Sequence, residues 1–526
     1  MTDWTEGYTT DVGYTYGYFS ELNPLVARLA LLKAGWDPRG LTSDGAACEL
    51  GFGQGVSVNI HAAASATAWC ATDFNPAQAA LAQELANASG AAALGTRLYD
   101  DAFADFCQRT DLPDFSFIGL HGIWSWISDA NRAVIVDFVR RKLRVGGVLY
   151  ISYNTQPGWA AMAPMRDLMA LHAEVMGVPG KGTSDRIDGA LAFVDRLMAT
   201  DPHYAKANPQ VATRLKRLQG MNRNYLAHEY FNQHWQPMSF HQMAQWLEPA
   251  KLGFACSAHY QDHLGSLHFT AQQAALLQEQ TDPVLRETVR DFLVNQQFRR
   301  DYWIKGGRRL AASEQSELQG HQRVMLLIPE AQVTMKVQAT VGEAALTESI
   351  YRPVLQALSD HQTTSIADLW KRLQGPAVQG TVTYAQLNEA LMLLIGKGDV
   401  VAVQNDAVTL RARPLTVKLN QYLMQLARHR TDITNLASPV SGGGIAASRF
   451  EQLFLLCLHE RPANTPPDAA ALADFVWQVL LAGGQRILKE GKPLETKEAN
   501  LAELAAQASA FLSKRLPLLR RMGVTQ

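Results

Sequence analysis

Glu49-Leu50-Gly51-Phe52-Gly53-Gln54-Gly55 is the stretch on which the fold of this 526-residue chain depends. It follows the apolar run 46–48 and precedes Val56–Ile60, a pattern that predicts a buried strand, a glycine turn and the start of a helix. Alternating glycines permit positive φ angles and let a ligand approach the backbone closely. A helix that begins behind the turn offers free N–H groups. The alternative is a glycine-rich turn with a structural role only.

The spacing of these glycines limits the ligand. The pattern G-x-G-x-G differs from the dinucleotide fingerprint, and the residues that a phosphate loop requires are missing from it. Glu49 opens the motif, and its negative charge would repel a pyrophosphate and suit a cationic ligand.

Strands and helices alternate from this turn to residue 153. The predicted strands are Ala46–Leu50, Ala68–Phe74, Leu94–Tyr99, Phe115–Leu120 and Val148–Tyr153; the predicted helices are Pro76–Ser89 and Asn131–Leu143, with a turn at Val145–Gly147. This alternation is typical of an α/β protein with a doubly wound parallel sheet. Ligands bind such sheets at the carboxyl ends of the strands, where the sequence places Asp73, Asp100, Asp101, His121, Tyr153 and Asn154.

The E-L-G-x-G-x-G motif, with Asp73 after the next strand, resembles motif I of the class I S-adenosylmethionine-dependent methyltransferases. Other segments resemble members that carry a methyltransferase regulatory domain, a group that includes rickettsial protein-lysine methyltransferases acting on outer-membrane proteins. These segments are His121–Ser128, Ser152–Trp159, Tyr225–Phe231 and Gln297–Asp301. Phe52 departs from the commoner pattern, which has a small residue or Cys there. The resemblance implies a seven-stranded class I methyltransferase sheet.

The resemblance also implies S-adenosyl-L-methionine as the cofactor. Asp73 lies where the family places the carboxylate that binds both ribose hydroxyls. The candidate cofactor-binding residues are Glu49, Gly51, Gly53, Gly55, Asp73, Phe74, Asp101, His121 and Tyr14. For His121 the alternative is a hydrogen-bonded core histidine. Tyr14 belongs to the aromatic segment 1–24, which is either a lid over the site or an arm packed on the domain.

The candidate catalytic residues come from two segments. Tyr153 and Asn154 follow the fifth strand and could orient an amine; the alternative is a rigid turn around a buried tryptophan. His228 and Glu229 could line the site from the other side, with Glu229 attracting a lysine ammonium. Their alternative is a hydrogen-bonded helix cap.

The rest of the chain predicts several further units. We assign residues 1–159 and 236–275 to the cofactor-binding domain, 160–235 to a helical insertion, 276–349 to a middle domain, 350–437 to a winged-helix-like domain and 438–526 to a helical C-terminal domain. The last two strands are predicted at Ala255–Tyr260 and Ser266–Thr270, and an amphipathic helix at 283–304. The methionines of the insertion indicate a core or a dimer contact. A hairpin around Asn405-Asp406 would be the wing, and Ser438–Ala447 a flexible loop.

Composition excludes several classes of function. A net charge of -1 provides no field for nucleic acid or an anionic membrane. The five cysteines have no CxxC spacing, which indicates reduced thiols and a cytoplasmic protein, and the sequence has neither an export signal nor a zinc-binding pattern.

Three functions remain open at this stage. The preferred one is a bacterial protein-lysine methyltransferase, because the large C-terminal half suits a macromolecular acceptor. A homodimer is compatible with this function. The others are a methyltransferase for a small molecule or another non-protein acceptor, and a non-catalytic binding protein with this fold.

Overall fold

A computed structural model describes residues 5, 7–9, 12–41, 45–177, 182–375, 382–461 and 468–525. Its centre is one seven-stranded sheet with the strand order β3-β2-β1-β4-β5-β7-β6. Strands β1 to β5 are parallel, and β7 runs antiparallel to both β5 and β6. The strands are β1 (Ala46–Leu50), β2 (Trp69–Thr72), β3 (Arg97–Tyr99), β4 (Phe115–Leu120), β5 (Leu143–Asn154), β6 (Leu252–Ser257) and β7 (Phe298–Lys305). This sheet confirms the predicted α/β class.

Helices cover both faces of the sheet, because the strands are apolar on both sides. The helices of this part are α1 (Pro24–Lys33), α2 (Val56–Ser65), α3 (Pro76–Ser89), α4 (Phe103–Phe106) and α5 (Asp129–Lys142). Asn75 caps α3 by accepting a hydrogen bond from the N–H of Ala77, and Pro76 suits the first helical position. The predicted turn Val145–Gly147 is a bulge within β5, where Phe115 pairs with Leu143 but Phe117 pairs with Val148.

A helical insertion separates β5 from β6, as predicted. It contains α6 (Ala163–Val175), α7 (Thr183–Ala199), α8 (His203–Ala207), α9 (Gln210–Gln219) and α10 (Arg223–Tyr230). Met162, Met165 and Met169 are buried in its own core, so the methionines serve the insertion internally. Large apolar side chains remain exposed at the end of α6: Leu171, Val175 and Met176.

The predicted seventh strand is wrong. Residues 266–270 contain part of a short 3₁₀ turn and the cap of the next helix. The seventh strand, β7, lies instead at Phe298–Lys305 and overlaps the end of the segment predicted as an amphipathic helix. The charges of β7 explain the error: Arg299 and Asp301 are buried and pair with each other. The sheet therefore extends past residue 275, the predicted limit of its domain. Helices α11 (Phe240–Leu247), α12 (Ala271–Glu279) and α13 (Pro283–Val294) lie around these last strands.

The segment after β7 combines helices with small sheets. It contains α14 (Ala312–Gly320), β8 (Arg323–Leu326), β9 (Lys336–Ala339), β10 (Gly342–Ala345), α15 (Glu348–Ala357), β11 (Thr364–Ser365), α16 (Ile366–Leu373), α17 (Tyr384–Lys397) and β12 (Val400–Val403). The predicted wing is wrong: β12 pairs with β8, and Asn405 begins a helix by accepting a hydrogen bond from the N–H of Val408 at 2.9 Å. Asn is a good residue for both a turn and a helix N-cap, and here the cap is formed.

The C-terminal part is mainly helical. It contains α18 (Asp406–Leu426), β13 (Asn435–Ser438), β14 (Gly443–Ala446), α19 (Arg449–Glu460), α20 (Ala469–Ala482), β15 (Leu488–Lys489), β16 (Lys492–Pro493), α21 (Lys497–Ala510) and α22 (Leu516–Arg521). The predicted flexible loop is instead the buried hairpin β13–β14. Its glycines allow another part of the chain to pack closely. The division of the chain into domains stays a prediction.

Candidate active site

The glycine turn lies at the carboxyl end of β1. Gly51, Gly53 and Gly55 have φ angles of 78°, 57° and 72°, which side chains disfavour. Each glycine is also in a confined space: a Cβ atom on Gly53 would lie 2.9 Å from Cδ1 of Tyr14, and one on Gly55 would meet Ala82 of α3. The turn therefore requires glycine both for its conformation and for the close approach of its neighbours.

Asp73 follows β2 and closes the same corner. Its Oδ2 accepts a hydrogen bond from the N–H of Gly53 at 2.8 Å, and its Oδ1 accepts one from the N–H of Asn75 at 3.1 Å. Burial raises the pKa of Asp73 to about 7, against the opposing effect of these two bonds. The carboxylate thus links the first two strand ends and keeps further acceptor capacity on each oxygen.

Glu49 lies behind the turn and not on the wall of the cavity. It is buried, and its Oε2 has no hydrogen-bond partner among the described residues. Burial and the nearby charge of Asp73 raise the pKa of Glu49 to about 8. A cation placed at the turn would lower this pKa, because it would stabilise the ionised form.

A cavity opens in front of the turn. Of the nine predicted cofactor-binding residues, Glu49 and Gly55 do not line it; those that do are Gly51, Gly53, Asp73, Phe74, Asp101, His121 and Tyr14. Sequence reasoning missed its other main walls, which are Tyr8, Asn75, Gln78, Phe103, Ile123 and Trp126. Asn75, Phe103 and Ile123 lie in the segments that follow β2, β3 and β4, and this position was the signal by which the sequence could have identified them.

A second cavity adjoins the first. The two share Tyr14, His121, Gly122 and Trp126 as a common wall. Three of the predicted catalytic residues line the second cavity: Asn154, His228 and Glu229. The others around it are mostly aromatic and were not predicted: Phe19, Trp159, Tyr225, Tyr230 and Phe298, together with Arg214. Tertiary contacts bring these residues together from the N-terminal segment, β5, β7 and the insertion.

His121 stands between the two cavities. Its ring stacks on Phe19 with centroids 3.6 Å apart, and its Nδ1 lies 2.7 Å from the hydroxyl of Tyr150. Burial lowers its pKa to about 4, so the imidazole is neutral at physiological pH. His121 is therefore both a hydrogen-bonded histidine and a wall of the site.

Glu229 supplies the carboxyl group of the second cavity. Burial raises its pKa to about 7, so it exchanges protons near neutral pH. His228 is buried beside it, with its ring 4.9 Å from that of Tyr14 and 5.4 Å from that of Tyr8. Both residues lie on α10, which the insertion places over the sheet edge.

Asn154 presents a donor to its surroundings. Its Oδ1 accepts a hydrogen bond from Nε1 of Trp159 at 3.1 Å, which fixes the orientation of the amide. Its Nδ2 has no partner among the described residues. Nδ2 of Asn154 can therefore donate a hydrogen bond to a ligand, and its role in orienting an amine stays a prediction.

Tyr153 is not brought to either cavity. Successive side chains of a strand point to opposite faces, and that of Tyr153 is fully buried in the core. Its hydroxyl donates to Oδ2 of Asp301 at 2.9 Å, and Nε of Arg299 donates to the same oxygen at 2.8 Å. Tyr153 belongs to the buried polar network that holds β7 beside β5.

We expect Tyr153→Phe to lower the free energy of unfolding by about 1–3 kcal/mol, because a buried carboxylate loses a donor. Cofactor affinity should be unchanged. Urea denaturation and calorimetry measure the two quantities. Unchanged stability together with a large loss of turnover would instead indicate that Tyr153 acts in the active site.

The seven-stranded sheet with its glycine turn is the fold of the class I S-adenosylmethionine-dependent methyltransferases. Residues 222–305 match the family model described as predicted methyltransferase regulatory domain. An uncharacterized protein of Synechocystis sp. is 38% identical over 99% of this chain and 100% of its own length. An uncharacterized protein of Rickettsia prowazekii is 28% identical over 37% of this chain and 35% of its own length. The chain therefore belongs to the same family as the Synechocystis protein, and it contains the segment described as a predicted methyltransferase regulatory domain.

Solved structures share the whole architecture. PKMT2 from Rickettsia typhi, in complex with AdoHcy, has a TM-score of 0.69 with 16% sequence identity, and the match covers 97% of this chain and 99% of that one. At this identity the likeness concerns the fold. The cofactor of the class I fold is S-adenosylmethionine, and the cavity of this chain suits it. Gly51 and Gly53 line the cavity, and a buried carboxyl oxygen of Glu49 lies behind the turn without a partner among the described residues.

Two negative findings apply to the residues that the structure describes. None of their helices is long and apolar enough to cross a membrane. They also contain no group of three or more His, Cys, Asp or Glu side chains arranged to hold a metal ion.

Proposed function

We propose that this protein transfers a methyl group from S-adenosylmethionine to an amine, and that the amine is a lysine side chain of another protein. The observation that supports this proposal is the second cavity, which is aromatic, adjoins the cofactor cavity and contains the buried carboxyl of Glu229. Aromatic faces and a carboxylate suit a cationic amine.

The cofactor would be held at the first three strand ends. Gly51 and Gly53 allow its close approach, and the Asp73 carboxylate accepts hydrogen bonds from its ribose hydroxyls. Phe74 and Asp101 complete the wall at β2 and β3. When bound, the cofactor supplies an electrophilic methyl group on a sulfonium. His121 lines both cavities and would therefore stand between the cofactor and the acceptor.

The acceptor would enter the second cavity from the side of the insertion. A lysine is protonated in water and becomes nucleophilic only after it loses that proton. Burial among aromatic rings lowers the pKa of the ammonium, and Glu229 attracts it and can take its proton. Asn154 can hold a carbonyl oxygen of the acceptor through Nδ2. The protein would thus act mainly by orientation and exclusion of water.

Incubation of the protein with radiolabelled S-adenosylmethionine and a cell lysate tests this function. We expect label in discrete protein bands, released as methyllysine after acid hydrolysis. Label confined to small molecules would indicate a non-protein acceptor. Absence of both label and cofactor binding would indicate a non-catalytic protein. Glu229→Gln serves as the control for contaminating enzymes, because it should bind cofactor but label protein at least about tenfold more slowly.

We also predict a homodimer formed through the insertion, in a cytoplasmic protein. The exposed apolar side chains at the end of α6, Leu171, Val175 and Met176, motivate this prediction, because such side chains favour burial against a partner. Light scattering at micromolar concentration should give twice the chain mass of 57.9 kDa. Leu171→Asp should give the monomer mass. A monomeric wild type would contradict the dimer and leave the active-site assignment unaffected.

A further inference from the structure

A segment near the N-terminus passes directly over the two cavities. We call residues 12–23, which lead into α1, the N-terminal arm. Tyr14 of the arm lines both cavities, and its carbonyl accepts a hydrogen bond from Nε2 of Gln54 at 3.4 Å. Phe19 lines the second cavity and stacks on His121. The arm thus forms part of the wall of both cavities, in which the cofactor and the acceptor would lie.

The arm is also attached to α2, the helix that begins at the glycine turn. The N–H of Phe19 donates to Oγ of Ser57 at 3.2 Å, and its carbonyl lies 3.1 Å from Nε2 of His61. The rings of Tyr18 and His61 have centroids 5.1 Å apart. These contacts attach the side of the arm that faces α2. The opposite side faces away from the sheet domain.

The C-terminal part covers that other side. The guanidinium of Arg430 lies 4.4 Å from the ring centroid of Tyr16. Nδ2 of Asn23 donates to the carbonyls of Ser441 and Gly442 at 3.2 and 3.3 Å. Tyr18 packs against the hairpin β13–β14, and its burial raises the pKa of its hydroxyl. The arm is therefore held between α2 and the C-terminal hairpin.

The fit between Tyr18 and the hairpin depends on glycine. A Cβ atom on Gly444 would lie 2.9–3.0 Å from three carbons of the Tyr18 ring, and one on Gly443 would meet the Tyr18 hydroxyl and the Asn23 amide. The φ angle of Gly444 is not in the left-handed region, so alanine fits the backbone there, and the three atoms nearest to its Cβ would all belong to Tyr18. Gly444 is thus a selective probe of this contact.

The hairpin is the firmer of the two partners. It belongs to the large C-terminal core, in which Leu436 and Ile445 of the hairpin pack with Val56 and Ile60 of α2. The arm has no regular secondary structure between residues 12 and 19. A conflict between the two would therefore displace the arm and not the hairpin.

We propose that the hairpin β13–β14 is a positioning element of the active site. It holds Tyr18, Arg430 ahead of it packs on Tyr16, and together they keep the adjacent Tyr14 and Phe19 against the two cavities. The C-terminal part would then contribute to ligand binding without touching the ligand. The ligand in this statement is the cofactor of the proposed function, whereas the arm contact itself is independent of that function.

The test compares Gly444→Ala with the wild type by hydrogen–deuterium exchange and by titration with S-adenosylhomocysteine. We expect faster exchange at residues 12–19 and a dissociation constant raised by about tenfold, that is about 1.4 kcal/mol. Arg430→Gln should act in the same direction with a smaller effect and little risk to folding. Gly253→Ala is the matched control, because a Cβ atom there has nothing within 4 Å.

A double-mutant cycle separates this role from general destabilisation. In a Tyr18→Ala background, Gly444→Ala should add no further effect on exchange or affinity. Unchanged exchange of the arm in Gly444→Ala, or an undiminished effect in the Tyr18→Ala background, would overturn the proposal. If no variant and no wild type bound S-adenosylhomocysteine, the proposed function would fail, and the exchange data would still decide the role of the hairpin.

Discussion

Asp73→Ala is expected to weaken binding of S-adenosylmethionine by at least about a hundredfold, or roughly 2.7 kcal/mol. Two effects add. The ribose hydroxyls lose a charged acceptor, and the N–H of Gly53, now 2.8 Å from Oδ2, loses the partner that fixes the glycine turn. Titration calorimetry measures the affinity, and circular dichroism checks that the variant is folded.

Asp100→Ala is the matched control for this experiment. Asp100 follows the neighbouring strand β3 but is exposed and does not line the cavity. The Asp100→Ala variant should bind the cofactor with wild-type affinity. If Asp73→Ala did so as well, the cofactor would not lie at the glycine turn.

The pH dependence of binding gives a second check. Burial raises the pKa of Asp73 to about 7. Below that pH the free protein holds a protonated carboxyl, which is a poorer acceptor for two hydroxyl groups. Affinity should therefore increase between pH 6 and pH 8 in the wild type, and Asp73→Asn should lose this contribution. An affinity independent of pH would contradict the role of Asp73 as the ribose acceptor.

Glu229→Gln is expected to lower turnover on a lysine acceptor by at least about tenfold at pH 8, roughly 1.4 kcal/mol of transition-state stabilisation. At that pH the Glu229 carboxyl, with a pKa of about 7, is ionised and can attract the ammonium and accept its proton. Wild-type turnover should rise through pH 7, and the Glu229 contribution to that rise should disappear in the variant. Cofactor affinity should not change.

The same substitution should have the opposite effect on stability. Because the pKa of Glu229 is raised on folding, the folded protein binds more protons than the unfolded chain between about pH 4.5 and pH 7. The free energy of unfolding therefore falls as pH rises through this window, and Glu229→Gln should be more stable than the wild type at pH 8. The gain is at most about 3 kcal/mol.

Exposed Glu248, replaced by glutamine, is the control for both measurements. A Glu229→Gln variant with wild-type turnover on a confirmed acceptor would place the active carboxyl elsewhere. A variant that lost both turnover and stability at pH 8 would indicate a structural role for Glu229.

Local sequence predicted the first half of the sheet closely. β1, β4 and α3 have the predicted bounds, because apolar runs, glycines and an Asn-Pro cap are short-range signals. The glycine turn and Asp73 were predicted for the same reason: each directly follows a strand, and parallel strands bring their carboxyl ends to one edge. The hydrophobic pattern failed at β7, because the buried Arg299 is neutralised by carboxylates of β7 itself and of the preceding helix α13.

The second cavity required tertiary structure. Residue type and position after β5 made Tyr153 a candidate, but the pairing of β5 with β7 turns its side chain toward Asp301 in the core. The cavity also brings together residues from separate elements: Arg214, Trp159 and Phe298. Their spacing along the sequence does not predict that they meet.

The sequence by itself determined the α/β class, the glycine turn with Asp73, and the helical insertion between the fifth and sixth strands. Turn conformation, helix capping and strand burial depend on residues that are close in the sequence, so they can be predicted from the sequence alone. Only the tertiary structure decided which strand becomes the seventh, which aromatic residues surround Glu229, and how the C-terminal hairpin meets the arm. These depend on contacts between distant segments, where packing and the pairing of buried charges outweigh local preference.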